Sequence, residues 1–136
     1  MKLHTCLACV TLLLALHARA LADPPIVELS TSGVWPQPSV FDNATATQPI
    51  VIKSEKEAAT HFAKDDLPRL TRLVDFSKQC VLIFAWRGSG GDKLTYTVAE
   101  SSPEQVTFTL TRGRTRDLRP HVHIYALRSD VKWSAR

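Results

Sequence analysis

Three things are scarce in this chain of 136 residues: cysteine, long apolar runs and an excess of charge of one sign. Cysteine occurs three times, and Cys6 and Cys9 both lie in the first stretch of the sequence. That stretch has Lys2 as its positive start, the apolar run CLACVTLLLAL from Cys6 to Leu16, and the small-x-small triplet Ala20-Leu21-Ala22. It is the pattern of a secretory signal peptide, cut after Ala22. The apolar run falls short of the ~20 residues that span a bilayer. The cysteines precede the apolar core, so no lipobox is present. Residues 1–22 are therefore expected to be removed, giving a secreted or periplasmic protein with no membrane attachment after cleavage.

Cys80 is then the one thiol left, which excludes an intramolecular disulfide framework. It opens the apolar run CVLIFAW and reads as a small core residue. Charge is also nearly balanced. Lys2 and Arg19 leave with the signal, which lowers the formal +4 to +2. From Arg112 onward, however, seven basic residues face only Asp117 and Asp130, so the C-terminal part is locally basic. No nucleic-acid recognition motif accompanies it, and nucleic acid is not an expected partner.

Catalytic signatures are absent as well. Ser89 lies in Arg87-Gly88-Ser89-Gly90-Gly91, which is followed by a strand pattern and not by a helix. It is neither a nucleophile elbow nor a phosphate-binding loop. Asp65-Asp66 reads as a hydrated carboxylate pair at a helix end. No trio of nucleophile, base and orienting group is legible. The chain is expected to be no enzyme and to carry no cofactor.

What is present predicts an α+β domain. Residues 23–49 hold Pro24, Pro25, Pro36, Pro38 and Pro49 with many Ser and Thr. They predict an extended N-terminal segment, with Ile26–Leu29 as a short edge strand. Asn43-Ala44-Thr45 is a formal glycosylation sequon. The domain proper is expected over residues 50–136. A strand over Gln48–Lys53 runs into the capping box Ser54-x-x-Glu57. Ala58, Ala59, Phe62 and Ala63 recur at helical spacing and predict one main helix from Glu55 to about Lys64. Asp65-Asp66-Leu67-Pro68 ends it and caps a short turn, with Leu70, Leu73 and Val74 packed beneath.

Gln79–Trp86 is apolar throughout and predicts a central strand buried on both faces. Three segments then alternate with period two: Lys93–Val98, Gln105–Arg112 and His121–Leu127. They predict an antiparallel sheet of about five to six strands with one packed and one wet face. Val131–Trp133 adds a last short strand. On one shared apolar face, His121, His123 and Tyr125 would join Thr95, Thr97, Thr107 and Thr109 on the wet side. The expected core is Phe62, Cys80, Leu82, Phe84, Leu94, Tyr96, Phe108, Leu110, Val122 and Ile124.

Two loops are the candidate binding surfaces. One is Arg87–Asp92, with Arg87, Ser89 and Asp92. The other is Arg112–Arg119, with Arg112, Arg114, Arg116 and Arg119 beside His121 and His123. Guanidinium groups hold carboxylate or phosphate in bidentate fashion, so an anionic ligand or protein partner suits them as well as solvent does. Asp117 is expected to neutralise one arginine. His121 and His123 supply two metal ligands where three or four are needed. Arginines nearby disfavour a cation. A protease inhibitor presenting the glycine loop and a metal protein using both histidines are the alternative functions.

The order of elements resembles that of a known family. SEKEAATHF, then VDFSKQCVLIFA, a glycine turn, KLTYTVAE with QVTFTLTRG, and a closing HVHIYAL together resemble the C-terminal domain of the PrcB family. Members are accessory subunits of a secreted bacterial protease complex. The resemblance covers residues 50–133 and is carried mainly by Ser54–Phe84. Relatives show a threonine-glycine-glycine-tyrosine turn; here it is GSGGDKLTY, with the tyrosine displaced to Tyr96. The resemblance implies an exported, non-enzymatic domain that associates with another extracytoplasmic protein, and it transfers no catalytic residue.

Overall fold

The computed structural model describes residues 23–136, so the expected signal peptide and its cut after Ala22 lie outside the described residues. The elements run β1 (Ile26–Leu29), α1 (Val40–Asn43), β2 (Ile50–Ile52), α2 (Glu55–Ala58), α3 (Leu67–Leu73), β3 (Gln79–Gly88), β4 (Lys93–Ala99), β5 (Gln105–Thr111), β6 (Arg119–Arg128) and β7 (Lys132–Ala135). They form a mixed α+β fold with two sheets in place of the single sheet expected. One has the order β1-β6-β3-β2, the other β4-β5-β7. All pairings are antiparallel except β5 with β7.

β3 explains the layering. Every residue from Val81 to Trp86 is buried. Its alternate side chains enter two different cores. Val81, Ile83 and Ala85 pack with Val34, Val40, Phe62 and Leu70 on the helical side. Leu82, Phe84 and Trp86 pack with Leu94, Val106 and Phe108 of the second sheet. A strand apolar on both faces must lie between two covering layers. β6 behaves likewise: Ile124 and Ala126 face the helical layer, while Tyr125 and Leu127 face the second sheet. β4 and β5 have one apolar face only and form the outer layer, with Thr95 and Thr97 exposed.

The expected single sheet with one apolar face shared by β4, β5 and β6 is thus overturned. Residues 112–118 cross from one sheet to the other, and β6 pairs with β3 and β1 instead. The histidines consequently leave the threonine face. His121 and His123 lie on the inter-sheet side of β6, in line with Tyr125, which is 1% exposed.

The single main helix is also corrected. The Ser54 half of the capping box forms as expected, Glu57 N–H donating to Ser54 Oγ at 3.2 Å, while the Glu57 carboxylate accepts from Lys53 N–H at 2.7 Å in place of the Ser54 N–H. Regular helix nevertheless stops at Ala58. Residues 61 and 62 are taken by the N-terminal segment: Gln37 N–H donates to the His61 carbonyl at 2.7 Å, and Pro36 bridges to Phe62. The longest helix is α3, where only a turn was expected. Pro68 in its first turn is compatible with helix because the N–H it lacks has no partner there. Leu70 and Val74 are buried, but Leu73 is 54% exposed. Of the expected core, Tyr96 is also exposed, at 37%, while Cys80, Leu110 and Val122 are only partly buried.

Candidate functional site: two interlocked loops bearing arginines

The β3–β4 loop and the β5–β6 crossover meet at one end of the sandwich. Gly88, which ends β3, sits opposite Arg119, which opens β6. Their shared strand pair brings both loops to the same edge, and the loops then bond to each other. Ser89 is the first link. Its hydroxyl lies 2.6 Å from the Thr115 hydroxyl and accepts from the Thr115 and Gly91 N–H groups at 3.1 and 3.2 Å. Asp117 is the second: its carboxylate accepts from the Gly90 N–H at 3.0 Å and from Arg119 Nε.

Asp92 is the third link and the most enclosed, with a side chain 1% exposed. It accepts from the Gly113 N–H at 2.8 Å, from Trp86 Nε1 at 3.0 Å and from Arg112 at 3.4 Å. The Gly113 and Trp86 bonds, then the Arg112 charge, hold its carboxyl below the usual range against the opposing effect of burial. Asp117 is held well below that range by the Thr115 hydroxyl, the Gly90 N–H and Arg119. The close approach of the loops demands glycine at position 113. A Cβ there would stand 2.3 Å from the Gly91 carbonyl carbon and 2.5 Å from Ser89 Oγ.

Beneath the loops lies a stack of flat rings. Trp86 is stacked on His121 at 4.7 Å and on His123 at 5.6 Å between centroids. His121 Nε2–H donates to the Ser89 carbonyl at 2.8 Å, which fixes the ring under the glycine loop. The imidazole therefore meets the backbone of Ser89 and not its hydroxyl. His123 Nδ1 faces Glu28 of β1 at 3.3 Å. Among the described residues, no group of three or more His, Cys, Asp or Glu gathers where a metal ion could sit. Both imidazoles are instead engaged with Trp86 and with hydrogen-bond partners.

The upper surface is cationic. The two loops carry five arginines against two aspartates. Arg112 pairs with Asp92 and Arg119 with Asp117, and the Arg87 guanidinium lies 4.9 Å over the Phe41 ring. Arg114 and Arg116 are exposed, and among the described residues no carboxylate lies within ion-pair distance of either. Leu118, two residues after Arg116, is 74% exposed. Two guanidinium groups and an apolar side chain on a hydrogen-bonded support can hold carboxylates or phosphates.

The structure joins Ser89, Asp92, Arg112, Arg114, Arg116 and Arg119 on two bonded loops, with Asp92 enclosed and His121 bonded to the Ser89 carbonyl, whereas Arg87 lies over Phe41 and His123 against Glu28. β5 ends at Thr111, one residue before the expected Arg112, so Arg112, Arg114 and Arg116 all lie on the crossover. Three participants were not singled out. Trp86 was legible only as a strand residue, although it precedes the glycine turn directly. Gly113 and Thr115 lie inside the arginine run, where a lone glycine between two arginines was the available signal.

A cleft of about 930 Å³ opens at the other end, where β3 begins and β6 ends. Val27, Leu73 and Phe76 form its apolar wall, and Arg72, Asp75 and Arg128 its polar rim. Cys80 is the free cysteine of the described residues, and burial pushes its thiol up. No helix among the described residues is long and apolar enough to cross a membrane.

No protein-family model matches the chain, and neither a curated protein nor a solved structure gives a significant match.

Proposed function

We propose that this chain is an exported, non-enzymatic accessory domain that binds an acidic surface of another extracytoplasmic protein through its arginine loops. The export reading rests on the signal pattern of residues 1–22. The accessory reading rests on the resemblance to the PrcB C-terminal domain. One observation supports the choice of surface: Arg114 and Arg116 are exposed, with no carboxylate partner among the described residues, on loops clasped by Ser89, Asp92 and Asp117. A clasped loop loses little freedom on binding, so less of the interaction energy goes into ordering it. The same clasp disfavours the inhibitor reading, because Gly91 packs against Gly113 and the glycine loop is bonded to the crossover.

A photo-activated cross-linking side chain in place of Leu118 tests this in the exporting cell. A discrete protein partner should be captured, and capture should fall about tenfold when Arg114 and Arg116 are both changed to Glu. Added salt should weaken capture in the same direction. Absence of any cross-linked protein, or capture indifferent to both charge reversal and salt, would reject the proposal.

A further inference from the structure

The β5–β6 crossover forms no strand, yet its side chains alternate. A Cβ on Gly113 would point at Gly91, 2.3 Å from its carbonyl carbon. The Thr115 hydroxyl lies 2.6 Å from that of Ser89, and the Asp117 carboxylate accepts from the Gly90 N–H at 3.0 Å. Positions 113, 115 and 117 thus all aim at the glycine loop. Arg119 turns the same way, its Nε donating to Asp117 and its Cδ 3.0 Å from where a Cβ of residue 90 would stand. Successive side chains of an extended chain point to opposite sides, so the residues between face away from the loop. These are Arg114, Arg116 and Leu118, and all three are exposed. Their backbone positions follow one another at about 6.6 Å, two residues of extended chain. Arg112 stands outside the row because it pairs with Asp92.

The row is held from beneath. Gly113 is bonded to Asp92, Thr115 to Ser89 and Asp117 to Gly90, so the step between the outward side chains is set before anything binds. Guanidinium groups hold carboxylates by paired hydrogen bonds. In an extended polypeptide, carboxylates on adjacent residues point apart. Carboxylates two residues apart share one side, at the same step of about 6.6 Å. Leu118 separates a polypeptide from a polyanion. A phosphate polymer carries charge on every unit and has nothing apolar to set against leucine. The 74% exposure of Leu118 leaves apolar surface that a partner side chain can cover.

We propose that the acidic surface bound here is an extended polypeptide segment with two carboxylates at alternate positions and an apolar side chain at the next alternate position. The carboxylates lie against Arg114 and Arg116, and the apolar side chain lies against Leu118. This register rests on the binding surface proposed above and specifies what that surface selects. The order acid, acid, apolar along the segment makes it run parallel to the crossover, and the reverse order makes it run antiparallel. Residues of the segment between these positions face away and are free to vary. Adjacent carboxylates are disfavoured, since only one of them can face the row at a time.

Titration of the purified protein with short blocked peptides, followed by nuclear magnetic resonance, reads this selection. One peptide contains Glu-Ser-Glu-Ser-Leu, a second its reverse, and a third the same residues with the glutamates adjacent. The amide signals of residues 114–118 should shift. The better of the two alternating peptides should bind about threefold or more tightly than the third, the order of one exposed ion pair. Arg114→Gln should erase that preference. Leu118→Ser should weaken binding of the alternating peptide and leave unchanged that of a version with serine in place of its leucine. Equal affinity for the alternating and adjacent peptides overturns the proposal, and so does binding of none of them. Undiminished binding of the alternating peptide by Leu118→Ser also overturns it, since the surface then reads charge alone and inorganic polyphosphate would fill it as well. If cross-linking from position 118 still captures a protein in an arginine-dependent way, the binding surface stands and only the register falls. If capture fails as well, both fall.

Discussion

Asp92 sits where three donors converge, and its neighbours define what can replace it. Trp86 Nε1–H and the Gly113 N–H both end on this one carboxylate, and Arg112 adds charge from the exposed side. Because the folded-state carboxyl titrates below its ordinary 3.8, the unfolded chain takes up the proton first as pH falls. The resulting stabilisation is complete above the unfolded value and is lost as pH drops through the folded one. Asp117 is shifted in the same direction and adds to the effect. Thermal melts from about pH 7 to about pH 2 should therefore show a falling midpoint below about pH 4, with Asp92→Asn showing a lower midpoint at neutrality and a shallower acid limb. An Asn variant with the parent slope would mean that the acid limb comes from other groups. Gly113 makes a steric prediction at the same scale. Gly113→Ala forces a methyl into the Gly91 backbone, and overpacking of this kind costs about 1–3 kcal/mol. Denaturant melts should show that loss, while Arg114→Ala, exposed and unpaired, should leave stability unchanged.

β6 shows how a strand pattern can be read correctly and assigned to the wrong layer. Period-two alternation through His121–Leu127 put Val122, Ile124 and Ala126 on one face and His121, His123 and Tyr125 on the other, and the strand has those two faces. Alternation does not say what covers the second face. Tyrosine and histidine read as polar, yet Tyr125 packs between Phe84 at 6.0 Å and Phe108 at 5.0 Å, with burial raising its hydroxyl's pKa. Ile124→Ala empties the helical layer, and Tyr125→Ala empties the inter-sheet layer. Each should cost about 2–5 kcal/mol in chemical unfolding. A face open to water would instead make Tyr125→Ala nearly neutral, within about 0.5 kcal/mol. β3 needed no such correction, since its apolar run carries no polar residue to mislead. For α2, local chemistry set the start, because Ser54 and Glu57 are neighbours in sequence. Its end was not legible, because the bond from Gln37 to His61 joins segments far apart in the chain.

At the scale of the whole molecule, residues 23–49 are a structural layer and not an appendage, although proline content made them read as extended and loop-rich. β1 pairs with β6 from Ile26–Leu127 to Leu29–Ile124 and closes one edge of the four-stranded sheet. Val34 and Val40 are 1% and 0% exposed in the helical core. Prolines were compatible with this because the segment packs by side chains and needs few ladder bonds of its own. Arg128 fastens it at the far end, donating to the Asp23 carbonyl at 2.7 Å while pairing with Asp130 and Glu104. At the arginine end, Phe41 of α1 lies under Arg87. The candidate site therefore depends on a segment outside the span where the family resemblance was read. Burial of Ile26, Leu29, Val34 and Val40 contributes about 1.5–3 kcal/mol each, together on the order of 10 kcal/mol. That is comparable with the whole stability of a domain this size, about 5–15 kcal/mol. A chain beginning at Ile50 should accordingly show no cooperative thermal transition, whereas one beginning at Asp23 should melt in a single step. A cooperative melt of the shorter chain, with the Trp86 environment unchanged in near-ultraviolet circular dichroism, would show that the sheets stand without this layer.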